Sequence, residues 1–147
     1  MFRRLLGRIA LVLVAVAGAV VTGVLPAHAA EAVCTTTKVD IGRGVLIDFG
    51  GRRLCDYRVR ALSEGPWIEV FVVGTNHGVY TRWWAPVPGL GAWVSLGGVV
   101  KTGDYRSIDS SYTGDGRARI MVVGTNGTWY HKIGWRTSWP AAWSAGR

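Results

Sequence analysis

The chain has 147 residues with a formal net charge of +8, and 21 of them are glycine, 8 tryptophan and 2 cysteine. That length allows one small domain once any export segment is set aside, and two cysteines exclude a multiply bridged scaffold. The basic residues are dispersed, with Arg52-Arg53, Arg58, Arg60, Arg117 and Arg119 the only local clusters, so the dense stripe of a nucleic-acid groove is missing and no specific nucleic-acid partner is expected.

Arg3, Arg4 and Arg8 precede an apolar stretch from Ile9 to Leu25, and Ala27-His28-Ala29 has the small-x-small form of a cleavage site. Residues 1–29 are expected to be a signal peptide, and the secreted remainder to have no membrane association. A transmembrane anchor is the competing reading, because the apolar run nearly reaches the roughly 18–20 residues of a span; Pro26 followed by Ala-x-Ala favours cleavage. The 118 residues that remain carry 14 basic and 9 acidic side chains, or +5. In an exported chain Cys34 and Cys55 are expected to form one structural disulfide.

Residues 30–55 open with a polar, threonine-rich segment and continue into the apolar run Val45-Leu46-Ile47, which ends at Asp48-Phe49-Gly50-Gly51. That ending matches Ser95-Leu96-Gly97-Gly98, and Tyr57 follows it as Tyr105 follows the second. A partial repeat is therefore expected here.

Two fuller repeats follow, over 56–98 and 99–147. Val72-Val73-Gly74-Thr75-Asn76 returns as Val122-Val123-Gly124-Thr125-Asn126, and the register holds from Val70/Ile120 through Tyr80/Tyr130 and Arg82/Lys132 to Trp93/Trp143. Self-similarity at roughly 40–50 residues marks propellers and other repeat arrays. In the first repeat, strands are predicted over 57–61, 67–73, 79–84 and 93–96, with turns at Glu64-Gly65-Pro66 and Asn76-His77-Gly78. The second repeat predicts strands over 105–110, 118–123 and 128–133, with Trp135, Trp139 and Trp143 around Pro140. Apolar spacing near two and frequent glycine exclude a helix after Ala30. The fold class is all-β, with each unit a four-stranded antiparallel sheet of the kind that forms a propeller blade.

The wording Val-Phe-Val-Val-Gly-Thr-Asn-x-Gly-Val-Tyr-x-Arg-Trp-Trp, closed by Trp-Val-Ser-Leu-Gly-Gly, resembles the repeat of the bacterial PLL-like lectins, β-propellers akin in architecture to the tachylectin-type lectins. The resemblance covers Val45 to Trp143. It implies one blade per repeat, a partial propeller of about two and a half blades, and carbohydrate binding in pockets between adjacent blades. The family's usual Gly-Thr-Asp stands here as Gly-Thr-Asn. Family members close a ring from many blades, so this chain is expected either to be a truncated member or to assemble, three copies completing a six-bladed ring.

Aromatic planes cover the C–H faces of sugars, which makes Trp83, Trp84, Trp93, Trp129, Trp135, Trp139 and Trp143 candidate platforms. Trp93 and Trp143, being repeat-equivalent, are the ones expected to pack; Trp84 and Trp135, near loop junctions, are expected to be exposed. Asn76, His77 and Asn126 sit at turns with hydrogen-bonding groups to offer. A seam between the repeats is expected to bring Trp84 and Arg82 together with Asn126 and Tyr130. No metal site or cofactor is expected from two well-separated histidines, His77 and His131, and no Gly-x-Ser-x-Gly or His-Glu-x-x-His pattern occurs. The favoured function is non-catalytic binding of a glycan or polysaccharide. A structural or protein-interaction module is the alternative, and a sialidase-like hydrolase fragment the weaker one, since no Asp-box is complete and glycosidases need two placed carboxylates.

Overall fold

The computed structural model describes residues 30–42, 44–103 and 106–147. The signal-peptide reading of 1–29, and the placement of Tyr105, lie outside them. The described chain is all-β: β1 (Val33–Cys34), β2 (Lys38–Asp40), β3 (Leu46–Asp48), β4 (Arg53–Leu54), β5 (Arg60–Glu64), β6 (Trp67–Val73), β7 (Val79–Ala85), β8 (Gly89–Leu90), β9 (Val94–Gly97), β10 (Ile108–Tyr112), β11 (Ala118–Val123), β12 (Trp129–Gly134) and β13 (Ser144–Ala145). Every pairing is antiparallel.

The two full repeats give two sheets of the same plan. In the first, β5, β6 and β7 run side by side, and β7 pairs along its length with β9 and then β8. In the second the order is β10-β11-β12-β13. Ahead of them lie the β2–β3 hairpin and the β1–β4 pair, which Cys34–Cys55 ties together with its Cα atoms 5.1 Å apart. The sheets remain separate, and no barrel or ring is closed among the described residues.

The leading strand of the first sheet falls three residues later than its sequence predicts. Glu64 pairs with Trp67 across Gly65-Pro66, so the hairpin register carries β5 to that turn. Tyr57, expected to begin the strand, instead lies buried with its hydroxyl donating to the Lys101 carbonyl at 2.7 Å. The leading strand of the second sheet is displaced likewise, to Ile108–Tyr112.

Side-chain alternation decides the stacking. One face of the first sheet presents Ile68 and Val70 to Phe49, forming a small core against the N-terminal segment. The other face presents Phe71, Val73 and Val79 to Ile108, Ala118, Ile120 and Val122 of the second sheet, which is the main core. Val70 and Ile120 are repeat-equivalent, so each sheet turns the same face toward the element that precedes it. The opposite face of the second sheet (Arg119, Met121, His131 and Ile133) is half-buried, and no described strand packs across it. In the first sheet the equivalent positions are Glu69, Phe71, Thr81 and Trp83, where Glu69, Phe71 and Thr81 are wholly buried.

Candidate functional site

Each repeat folds its Gly-Thr-Asn into the same turn. In the first, the Gly74 amide donates to the Gly78 carbonyl at 2.8 Å and the His77 amide to the Gly74 carbonyl at 2.9 Å. The Gly78 amide donates to Asn76 Oδ1 at 3.0 Å, and Asn76 Nδ2 to the Tyr80 hydroxyl at 3.0 Å. The second repeats the set: Thr128 amide to Asn126 Oδ1 at 3.0 Å, and Asn126 Nδ2 to the Tyr130 hydroxyl at 2.9 Å. A backbone amide can only donate, which fixes the carboxamide oxygen toward the turn and its nitrogen toward the tyrosine. Asparagine thus closes the turn and pins the ring with one side chain, its nitrogen donating to the tyrosine hydroxyl where an aspartate would have to accept from it. The left-handed position of the turn is His77 (φ 60°) in one repeat and Gly127 (φ 77°) in the other.

The pinned tyrosine lies over Gly74 or Gly124, close enough that a Cβ there would meet its ring at 2.6 or 2.9 Å. Across from it, Trp93 lies over Gly51 and Trp143 over Gly98, where an added Cβ would meet the indole nitrogen at 2.8 and 2.9 Å. Each tryptophan has a cation beside it. Arg82 Nε donates to the Gly91 carbonyl at 2.6 Å, its Nη1 donates to the Phe49 carbonyl, and its guanidinium lies 5.8 Å from the Trp93 ring. Lys132 Nζ donates to the carbonyls of Leu96 at 2.7 Å and Ala141 at 3.0 Å and lies 5.2 Å from the Trp143 ring. Burial holds the Lys132 ammonium below its ordinary value.

Between these walls lie two repeat-related pockets. The first, of about 320 Å³, is enclosed by Trp93, Tyr80, Val72 and Asn76 from the first sheet and by Gly50 to Arg53 from the N-terminal segment. The second, of about 280 Å³, is enclosed by Trp143, Tyr130, Val122 and Asn126 from the second sheet and by Gly98 and Val99 from the first repeat. The segments that complete them also correspond. Asp48 Oδ1 accepts from the Gly50 amide at 2.8 Å as Ser95 Oγ accepts from Gly97 at 3.2 Å, and Arg53 bridges to Gly74 as Val100 bridges to Gly124. The Thr37 amide also donates to Asp48 Oδ1, at 3.1 Å, and the two bonds, from Gly50 first and then Thr37, hold Asp48 below the ordinary carboxylate value.

Of the sequence-predicted residues, Asn76 lines the first pocket, and Asn126 and Tyr130 the second. Arg82 and Trp84 do not join them. Trp84 pairs with Ile68 at the far end of the sheet and packs on the Phe49 core, some six residues or about 20 Å of strand from the Gly74 turn. Trp135 packs near Tyr112 at 6.2 Å, and Arg136 stacks 3.3 Å from the Trp67 ring. Trp129 carries Arg147 at 4.2 Å from its ring. His77 pairs its Nε2 with Glu31 at 2.8 Å and meets Tyr57 edge-on. Tyr80, Arg52 and Arg53 line the pockets without having been singled out for them, and Trp93 and Trp143, candidate platforms for which packing was the favoured role, line them too. The repeat equivalence of Trp93 and Trp143 was the signal that marked them, and it favoured packing over binding.

Neither pocket is lined by a carboxylate, and among the described residues no three His, Cys, Asp or Glu side chains are grouped to hold a metal ion. No family model matches the chain, and no curated protein matches its sequence.

Proposed function

We propose that this is a secreted, non-catalytic carbohydrate-binding protein of the PLL-like lectin type, its two sheets acting as propeller blades and its two pockets as sugar sites. The observation that carries the reading is the pocket built twice from the same parts: an indole, a phenol and an asparagine lining one cavity. An aromatic wall fits the apolar face of a pyranose, and the polar edge of the pocket fits its hydroxyls. Walls without carboxylates favour holding a sugar over cleaving it, because hydrolysis requires a placed acid and base. The disulfide fits a non-reducing compartment such as the extracellular space.

A glycan array on the purified chain tests the reading. Signal is expected to fall in Trp93→Ala and Trp143→Ala and to be lost in the double variant, each still folded by near-ultraviolet circular dichroism. Binding that survives the double variant would leave the pockets without this role.

A second reading concerns partners. The open face of the second sheet stands where the first sheet is covered, and copies of the chain stacked head to tail would cover it in the same way, building a propeller ring. Sedimentation is expected to show discrete oligomers that dissociate in Met121→Glu; a well-folded monomer at high concentration would exclude the ring.

A further inference from the structure

The two pockets share their aromatic walls and differ on one edge. After the paired glycines, the first pocket continues with Arg52-Arg53 and the second with Val99-Val100. The backbone register is the same, since Arg53 and Val100 bridge to the equivalent glycines of the two turns. Val100 is wholly buried in the main core, whereas Arg53 is half-buried and anchored through Nη1 to the Leu54 and Tyr57 carbonyls at 3.1 and 3.4 Å. Its Nε is buried without a hydrogen-bond partner. Arg52 is exposed at the rim, and no described carboxylate pairs with it. Thr37, 1% exposed, lines the same pocket with its Oγ1 also unpartnered. Trp93 Nε1 is unpartnered as well; buried polar atoms are normally satisfied, so three unsatisfied ones beside a cavity point to a ligand that supplies acceptors. The second pocket has no unpartnered buried polar atom among its lining residues.

Resting on the sugar-binding reading above, we infer that the two pockets have different specificities: the first takes a saccharide bearing a carboxylate, as in a uronic acid, and the second takes a neutral one. Arg52 meets the carboxylate at the rim by a charge-assisted hydrogen bond, while Trp93 and Tyr80 hold the ring. Asp48, four residues before Arg52, has its Oδ1 occupied by the Thr37 and Gly50 amides. Val99 offers the second ligand only an apolar edge.

Calorimetric titration of the disulfide-bonded chain with a galacturonic acid trimer, and with its fully methyl-esterified form, tests this. The trimer is expected to bind with one equivalent per chain, about tenfold more tightly than the ester. Arg52→Val, which copies the second pocket, is expected to remove that preference, trimer and ester then binding with equal affinity. Val99→Arg is expected to create a second equivalent of trimer binding. Dextran sulfate against dextran asks whether any anion suffices: equal loss of trimer binding in Arg52→Val and in the distant Arg117→Gln, together with tight sulfate binding, would reduce the effect to bulk charge and overturn the inference. Equal affinity for trimer and ester in the unaltered chain would overturn it too, while leaving both pockets as sugar sites. If no saccharide binds in a manner dependent on Trp93 or Trp143, the sugar-binding reading falls, and this one with it.

Discussion

Replacing Gly74 by alanine puts the pocket architecture to a direct test. The new Cβ would sit 2.6 Å from Tyr80 Cε2, about 1 Å inside the roughly 3.6 Å of ordinary carbon–carbon contact. The ring has to swing away, and in doing so it breaks the bond from Asn76 Nδ2. Overpacking costs about 1–3 kcal/mol and the lost hydrogen bond about 0.5–1.5. Restricting the unfolded chain returns about 0.4–1 kcal/mol, for a net loss of about 2 kcal/mol. In the second repeat the same contact is 2.9 Å, so Gly124→Ala should lose about half as much. Gly114 supplies the control: nothing lies within 4 Å of its added Cβ, and its φ is outside the left-handed region, so Gly114→Ala should gain about 0.4–1 kcal/mol. Urea unfolding followed by tryptophan fluorescence measures all three. A Gly74→Ala chain as stable as Gly114→Ala, or more stable than Gly124→Ala, would refute the reasoning.

Glu69 gives a pH-dependent prediction. It is wholly buried, and that burial pushes its carboxyl above the ordinary 4.5, against the hydrogen bonds from the Arg136 amide (3.1 Å) and Thr81 (2.7 Å). The folded chain therefore holds this proton more tightly than the unfolded chain. The group's contribution is complete below the unfolded value and is lost as pH rises through the folded one. Glu69→Gln can keep both contacts, its oxygen accepting from Arg136 and its nitrogen donating to Thr81, whose own hydroxyl donates to the Val70 carbonyl. The variant should be more stable by about 1 kcal/mol at pH 7, with the gap closing toward pH 4; a gap that widens on acidification contradicts the assignment. Opening the 21-residue Cys34–Cys55 separation by reduction should cost about 3 kcal/mol. Because Cys34 pairs with Arg53, reduction should also weaken ligand binding in the first pocket more than in the second. Titrating Trp143→Ala and Trp93→Ala chains under reductant measures that difference.

The sheets were legible because period-two alternation and turn chemistry leave a local record. Trp67–Val73 and Ala118–Val123 occupy the spans their apolar runs predict, and the pairing of Cys34 with Cys55 follows from there being two cysteines. The leading strands were less legible. Where β5 begins depends on the register set by Glu64 and Trp67 across the turn, whereas Tyr57 has a strand-like neighbourhood in sequence and a core-filling role in space.

Sequence reasoning about the tryptophans divided them by proximity to loops, and exposure does not follow that division. Trp84, Trp93, Trp135 and Trp143 are all half-buried. What separates them is which end of a strand each occupies and what lies opposite. Trp93 and Trp143 lie over glycines that carry no Cβ and share a cavity with a pinned tyrosine, so each packs on a core and also borders open space. Packing and binding are not alternatives for such a residue, because the contacts that immobilise the ring also preorganise it for a ligand. Both pockets also need a wall from the preceding unit, supplied once by the Gly50–Arg53 segment and once by Gly98-Val99. A single repeat in isolation would possess the tryptophan, the tyrosine and the asparagine and still have no pocket. The short N-terminal copy therefore has a purpose beyond covering an apolar face: it provides the first full repeat with its missing wall. The arginines on that wall are where the first pocket departs from the second.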